Sequence, residues 1–302
     1  MTENKTYDVI IIGGSYAGLS AAMALGRSLR KTLVIDSGKP CNIKTPHSHN
    51  FLTQDGKSPK EISAIAKHQV EQYDTVHFYE GIADSAKKTD GGFEIITRDG
   101  KQFISKKLIL ATGISDLVPD VKGYKESWGI SLIHCPYCHG YEYRNQKTGI
   151  IANGDRAFHL ASLVKNLTSE VTIFTTGKST FNDQEKETLK QNEIDIIETE
   201  ISILKHQNGY IESLILSDGR EIKLNAVYAG FTYKQHSDIA ENLGCEFTEN
   251  GHIKTDHAQK TNIPGLFVCG DNSSMMRSVS SAVMTGNVAG AMVNMELVTD
   301  RF

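Results

Sequence analysis

His134-Cys135-Pro136-Tyr137-Cys138-His139 places two thiols three positions apart, close enough to join as a small disulfide, with an imidazole on either side to move protons during thiol exchange. The stretch reads as a redox-active dithiol in which Cys135 and Cys138 react and His139 or His134 serves as base. An ordinary histidine pKa of about 6.5 suits that work, and a cationic ring would also favour the thiolate. The same four residues could ligate zinc, but structural zinc sites gather two separated pairs, so no metal is expected. Tyr137 either packs on the dithiol or forms a wall for its substrate. Cys41, Cys245 and Cys269 stand alone and read as idle or buried thiols.

Elements that could position such a dithiol surround it in the chain. Tyr7 to Ile12 is a β-branched apolar run, glycines follow at once, and Gly18 to Leu29 carries apolar residues at helical spacing. The turn between them, Gly13-Gly14-Ser15-Tyr16-Ala17-Gly18, approximates the Gly-x-Gly-x-x-Gly fingerprint that lets a backbone approach a pyrophosphate, with Ser15 at the middle glycine. Thr32 to Ile35 is a second strand, and Asp36 ends it where an acidic residue accepts from a ribose. Turns at Asp90-Gly91-Gly92 and Asp99-Gly100 mark a meander leading to Ala111-Thr112-Gly113. A weaker βαβ pattern starts at Gly149 and runs through Ala157–Asn166 to Val171–Phe174. A hairpin follows between Ile211 and Leu224, then a buried strand ending in Gly270-Asp271, and a helix from Ser278 to Met295. These elements predict an α/β fold of two Rossmann-like nucleotide-binding domains, each three-layered (β/β/α). The FAD-binding domain is discontinuous, 1–115 and 236–302, and the smaller domain inserted at 116–235 carries the cysteine pair.

With 32 basic and 36 acidic residues the formal charge is -4, and no basic cluster suggests nucleic acid. Five cysteines without a framework spacing suit a reducing compartment. The absence of a signal-peptide layout or a membrane-length apolar run leads to the expectation of a soluble cytoplasmic protein.

Gly13 to Gly18, Asp36, Ala111-Thr112-Gly113, Cys135-x-x-Cys138 and Gly270-Asp271, in that order and throughout the chain, resemble the low-molecular-weight thioredoxin reductases. The resemblance implies a homodimeric FAD enzyme with Cys138 against the isoalloxazine, Cys135 toward substrate, and a small dithiol, disulfide or thioredoxin-like protein as partner. It assigns FAD contacts to Gly13, Gly14, Ser15, Ala17, Gly18, Asp36, Ala111, Thr112, Gly113, Gly270 and Asp271, with Arg277 as a further contact to flavin or partner subunit. His47 and His49 fall in a polar loop that chain position sets near the flavin. Met275, Met276, Met284 and Met292 read as helix packing.

Three departures weaken the NADPH expectation. The second fingerprint is Ala152-Asn153-Gly154-Asp155-Arg156-Ala157, without its first glycine. Thr175-Thr176-Gly177-Lys178 replaces the arginines that grip a 2′-phosphate. His139 stands where an acidic residue usually follows the second cysteine. The combined pattern is more similar to the dithiol oxidases of gliotoxin-type and holomycin-type products, which use FAD and oxygen. The leading expectation is therefore dithiol oxidation independent of NADPH. The alternatives are a reductase fed by NADPH or by a donor such as ferredoxin, and a non-catalytic flavin-binding redox sensor.

Overall fold

The computed structural model describes residues 5–302. β1 (Lys5–Ile12) is buried from Val9 to Ile12, the β-branched run of a central strand covered on both faces. α1 (Tyr16–Arg27) follows, and β2 (Thr32–Asp36) returns parallel to β1 with Val9 opposite Thr32. α2 (Pro59–Glu71) begins with a capping box between Ser58 and Glu61 and proline in its first turn, then leads to β3 (Val76–Glu80), parallel to β2. β4 (Ala83–Thr89), β5 (Gly92–Thr97) and β6 (Gln102–Leu110) form the expected antiparallel meander, and β6 comes back parallel to β1. β7 (Ile114–Asp116) is a short strand after it.

Next come α3 (Tyr124–Ser127), β8 (Leu132–Ile133), α4 (Pro136–His139), β9 (Thr148–Ile151), α5 (Gly154–Lys165), β10 (Val171–Phe174), α6 (Asp183–Gln191) and β11 (Asp195–Ile197). Antiparallel β12 (Ile201–Gln207), β13 (Tyr210–Leu216) and β14 (Glu221–Lys223) precede β15 (Ala226–Ala229), which completes a parallel sheet in the order β11-β10-β9-β15-β8. The period of two along β9 and β15 sorts the side chains into layers. Ile150 and Tyr228 pack with Leu160 of α5 and Leu189 of α6, whereas Ile151 and Val227 pack with Leu204 and Leu214 of the antiparallel sheet. This is the three-layer β/β/α arrangement.

β16 (Tyr233–Gln235) pairs with β7; α7 (Ile239–Asn242), β17 (Leu266–Val268) and α8 (Val279–Thr299) finish the chain. One edge of β6 serves two partners: residues 102–105 take β5, and residues 108–110 take β17. β1 therefore lies between β2 and β6, and β9 between β10 and β15. Each is the point where strand order reverses and ligands bind in open α/β sheets.

The chain divides into two compact units, one holding the residues up to Ile43 with Lys57–Ser115 and Lys234–Phe302, the other Lys44–Gly56 with Asp116–Tyr233. The sequence boundaries left residues 44–56 with the first. The difference arises because this stretch has no periodicity to reveal its partners, which include the Lys125 carbonyl for Lys44 and Glu142 for His49. Met275, Met276 and Met284 are exposed rather than packed as helix core, and the first two lie in the irregular stretch before α8. Among the described residues no helix is long and apolar enough to cross a membrane.

Candidate active site

The turn after β1 is shaped by close backbone approach. Gly13 has φ +106°, and a Cβ there would meet the carbonyl of Ala111. Gly14 donates its N–H to Asp36 Oδ1 at 2.9 Å, and Gly38 donates to Oδ2 at 3.1 Å, so the carboxylate at the end of β2 is held toward the turn. Ser15 is the N-cap of α1, yet its side chain makes no capping bond, which leaves the first-turn N–H groups of the helix available to a ligand. Gly270 has φ +89°, lies against Ala17, and donates its N–H to buried Thr285 Oγ1 at 3.0 Å. Asn272 is fully buried and donates to Leu110 O at 3.1 Å and to Thr112 Oγ1 at 3.2 Å, while its Oδ1 has no partner. Asp271 faces Arg277, with Oδ2 and Nε 3.8 Å apart.

Gly13 to Gly18, Asp36, Ala111-Thr112 and Gly270-Asp271 are thus gathered at the end of the parallel strands of one mixed sheet although they are scattered along the chain. Open donors at a helix start, a fixed carboxylate and an orphaned buried amide oxygen fit a pyrophosphate-bearing cofactor. Sequence reading missed Asn272 and Thr285. The former directly follows the Gly-Asp element, so its position was the available signal; the latter is an unremarkable helix threonine until the fold brings it to Gly270.

In the second unit Cys135 and Cys138 are joined as a disulfide, with Cα atoms 5.3 Å apart. Pro136 starts α4, Cys135 Sγ accepts from the Cys138 N–H at 3.2 Å, and Gly140 N–H closes the turn on Pro136 O at 2.8 Å. A Cβ on Gly140 would collide with Pro136 O and lie 3.2 Å from the Tyr228 hydroxyl, so this tight turn requires glycine behind the dithiol. Tyr137 points outward, 69% exposed, which places it as a surface residue rather than packing for the disulfide. The His134 ring lies 6.2 Å from that of Trp128.

His139 differs from the expectation of a ring ready to be cationic. Desolvation, with a smaller push from the charge of His49, brings its pKa down to about 4, so the ring is neutral at pH 7. It is suited to accept a proton and unsuited to hold one. His49 belongs to the 44–56 segment of the same unit, with Nε2 3.6 Å from Glu142 Oε1 and Nδ1 3.7 Å from Asp55 Oδ1. Neither carboxylate was noticed in the sequence, because neither belongs to a recognisable motif.

The second glycine turn is closed from within. Asn153 Oδ1 accepts from Gly154 N–H at 2.9 Å, Thr180 N–H at 2.9 Å and Thr180 Oγ1 at 3.2 Å, and its Nδ2 donates to Lys178 O at 2.9 Å. Glu198 accepts from both the N–H and hydroxyl of Ser179, and these bonds lower its carboxyl pKa. A carboxylate thus stands beside the loop after β10, where a 2′-phosphate would need cations.

The family described as pyridine nucleotide-disulphide oxidoreductase matches residues 7–286. The thioredoxin reductase tcpT of Claviceps purpurea is 33% identical, over 99% of this chain and 97% of that protein. Among solved structures, an oxidoreductase from Agrobacterium tumefaciens is 38% identical with a TM-score of 0.91, covering 97% of this chain and 99% of that one. HlmI is 27% identical with a TM-score of 0.92, covering 100% of this chain and 95% of its own. Sequence order, fold and redox disulfide agree with these likenesses, and the chain belongs to the pyridine nucleotide-disulphide oxidoreductases as a thioredoxin reductase-like flavoenzyme acting on sulfur groups.

Proposed function

We propose that the protein oxidises dithiols through the Cys135–Cys138 disulfide and FAD without drawing electrons from NADPH, oxygen or another acceptor taking the electrons at the end. The observation that carries this reading is the Asn153 side chain, whose oxygen takes up the Gly154 N–H at the start of α5 and two donors of Thr180, tying the second turn to the loop after β10. Glu198 adds repulsion toward a 2′-phosphate. The resemblance to dithiol oxidases supports the same direction.

In this reading Gly13, Gly14, Ser15, Ala17 and Gly18 hold the pyrophosphate and Asp36 a ribose hydroxyl. Ala111, Thr112, Gly113, Gly270, Asp271 and Arg277 complete the cofactor contacts. When bound, FAD supplies a two-electron store between dithiol and acceptor. A substrate thiol loses its proton to neutral His139, and its thiolate attacks Cys135 Sγ; the Cys135–Cys138 bond breaks and Cys138 leaves as thiolate. The second substrate thiolate attacks the substrate sulfur of the mixed disulfide, closing the product disulfide and releasing Cys135. Two electrons have then moved from substrate to the cysteine pair. His134 is the second candidate base, and the physiological assembly in this reading is a homodimer. The substrate is a small dithiol or a thioredoxin-like protein.

The thioredoxin reductase name of the relatives favours a second reading, in which NADPH feeds the same disulfide in the opposite direction. Anaerobic titration of the yellow protein with NADPH, NADH and a dithiol separates the two. Bleaching by dithiol alone is expected, and rapid bleaching by NADPH overturns the proposal. Cys138→Ser is expected to abolish dithiol turnover, whereas unchanged turnover removes the cysteine pair from the mechanism.

A further inference from the structure

Tyr228 meets the redox segment at both of its ends. Its backbone pairs with Ile133 in the parallel β8–β15 ladder, just before His134 and Cys135, and its side chain reaches Gly140, the cap at the far end of α4. The residue is 1% exposed, and among the described residues its hydroxyl has no hydrogen-bond partner. Burial raises its pKa, with smaller contributions from Tyr143 and Glu142, so the group stays a neutral O–H donor. A buried donor left unpaired bears its full desolvation cost, and few native hydroxyls are left so.

Gly140 shows where that proton can go. A Cβ on Gly140 would stand 3.2 Å from the Tyr228 hydroxyl and closer still to Pro136 O, so donor and carbonyl border the same small space. Pro136 O already accepts the Gly140 N–H at 2.8 Å, but a carbonyl oxygen has two lone pairs and one is left over. Pro136 itself lies between the two cysteines, and in the disulfide form the hydroxyl and the carbonyl do not meet. We propose that Tyr228 is a positioning residue that sets the redox poise of the cysteine pair, its hydroxyl bonding Pro136 O in the dithiol form and unpaired in the disulfide form. The inference goes beyond the direction of electron flow and holds for an oxidase and a reductase alike.

The poise follows from what each form leaves unsatisfied. Reduction takes two electrons and two protons, breaks the Cys135–Cys138 bond and unties the start of α4 from its third residue. A helix of four residues has little stiffness of its own, so a small settling of α4 brings the Pro136 carbonyl to the hydroxyl. The disulfide form alone then carries the unpaired donor. Stabilising the reduced form makes a disulfide a stronger oxidant, which is the sense needed to take electrons from a dithiol. Tyr143 supplies the contrast, because its hydroxyl already donates to Ile130 O at 3.0 Å.

The test is a redox equilibrium on the holoprotein. Wild type, Tyr228→Phe and Tyr143→Phe are equilibrated anaerobically with reduced and oxidised glutathione, free thiols are trapped with iodoacetamide, and the Cys135–Cys138 peptide is quantified by mass spectrometry. Two glutathione thiols and the protein disulfide become one glutathione disulfide and the protein dithiol, so the constant reads the couple directly. Tyr228→Phe removes the unpaired group from one form and the bond from the other, and the constant for reduction is expected to fall about fivefold or more. Tyr143→Phe should stay within about twofold of the wild type, since its bond is present in the disulfide form already. In urea, Tyr228→Phe should lower the unfolding midpoint of the reduced protein relative to that of the oxidised protein, closing the same cycle. Equal constants for wild type and Tyr228→Phe overturn the inference, and so does an equal fall in Tyr143→Phe. The equilibrium has no catalytic direction, so a wild type that fails to bleach with dithiol defeats the oxidase reading and leaves this measurement decisive.

Discussion

After β1 the chain reaches α1 through Gly13, Gly14 and Ser15, and the Ser15 side chain makes no bond to the helix it caps. After β9 it reaches α5 through Ala152, Asn153 and Gly154, and the Asn153 oxygen takes three hydrogen bonds, one from Gly154 and two from Thr180. The acidic groups differ in the same way. Asp36 is held by Gly14 and Gly38 toward its turn, whereas Glu198 is occupied by Ser179 beside the loop after β10. Two copies of one supersecondary unit therefore differ in polar bookkeeping: the cap of the first makes no bond to its helix, whereas the cap of the second occupies the Gly154 N–H and is tied to Thr180. Retention of a βαβ unit is thus a statement about packing, and the state of its turn is the statement about ligands.

The strongest way to break this contrast is at Gly13. Gly13→Ala drives a methyl into the Ala111 carbonyl at a φ that L-residues avoid, so the variant should purify without flavin colour. A yellow variant with normal absorbance would show that the first turn does not hold the cofactor.

The next effect belongs to the dithiol helix between these turns. The pKa of His139 in the folded chain is lowered from 6.5 to about 4, so its contribution to stability is complete above pH 6.5 and lost as the pH falls toward 4. The loss amounts to at most about 3 kcal/mol by linkage. Thermal unfolding between pH 7 and pH 4 should show a steeper loss in the wild type than in His139→Asn, and equal slopes would contradict the desolvated ring.

Gly154→Ala is the counterpart of the first substitution. Its φ is +56° and the added Cβ meets only Thr180 Oγ1 at 2.8 Å, the movable end of a side chain. A cost of about 1–2 kcal/mol is expected, with flavin content and dithiol turnover within twofold of wild type. Lost flavin would make the second turn part of the cofactor's support.

The smallest effect should be a gain. Asn153→Gly combined with Glu198→Arg opens the turn and replaces a repelling charge with a forked donor, so NADPH should bleach the flavin measurably faster than in the wild type. No change in stopped-flow rate would mean that more than the turn has been lost.

The sequence made the strand-turn-helix units legible because each is local: an apolar β-branched run, a glycine turn and a helical period lie within about thirty residues. It also exposed the missing glycine at Ala152. It could not show that Asn153 closes the turn, since the partner Thr180 lies 27 residues away in a loop without pattern. His49 was hidden for the same reason, and the buried environment that lowers the His139 pKa is a property of packing that no spacing encodes. The methionines misled in the other direction, because Met275 and Met276 border a helix whose apolar composition suggested a core they do not join.

The seam between α1 and α8 carries one more consequence. Gly290 sits so close to α1 that a Cβ would fall 2.7 Å from the Ala21 carbonyl, and Ser20 donates its hydroxyl to Val283 O across 263 residues. Gly270 leans on Ala17 in the same region. During synthesis the inner face of the helix that opens onto the first turn stays uncovered until its partner α8, 263 residues further on at the Ser20–Val283 bond, has been made. The wall that α8 and Gly270 give the first turn is therefore a late, long-range contact, and the earlier part of the chain carries that apolar face exposed until it forms.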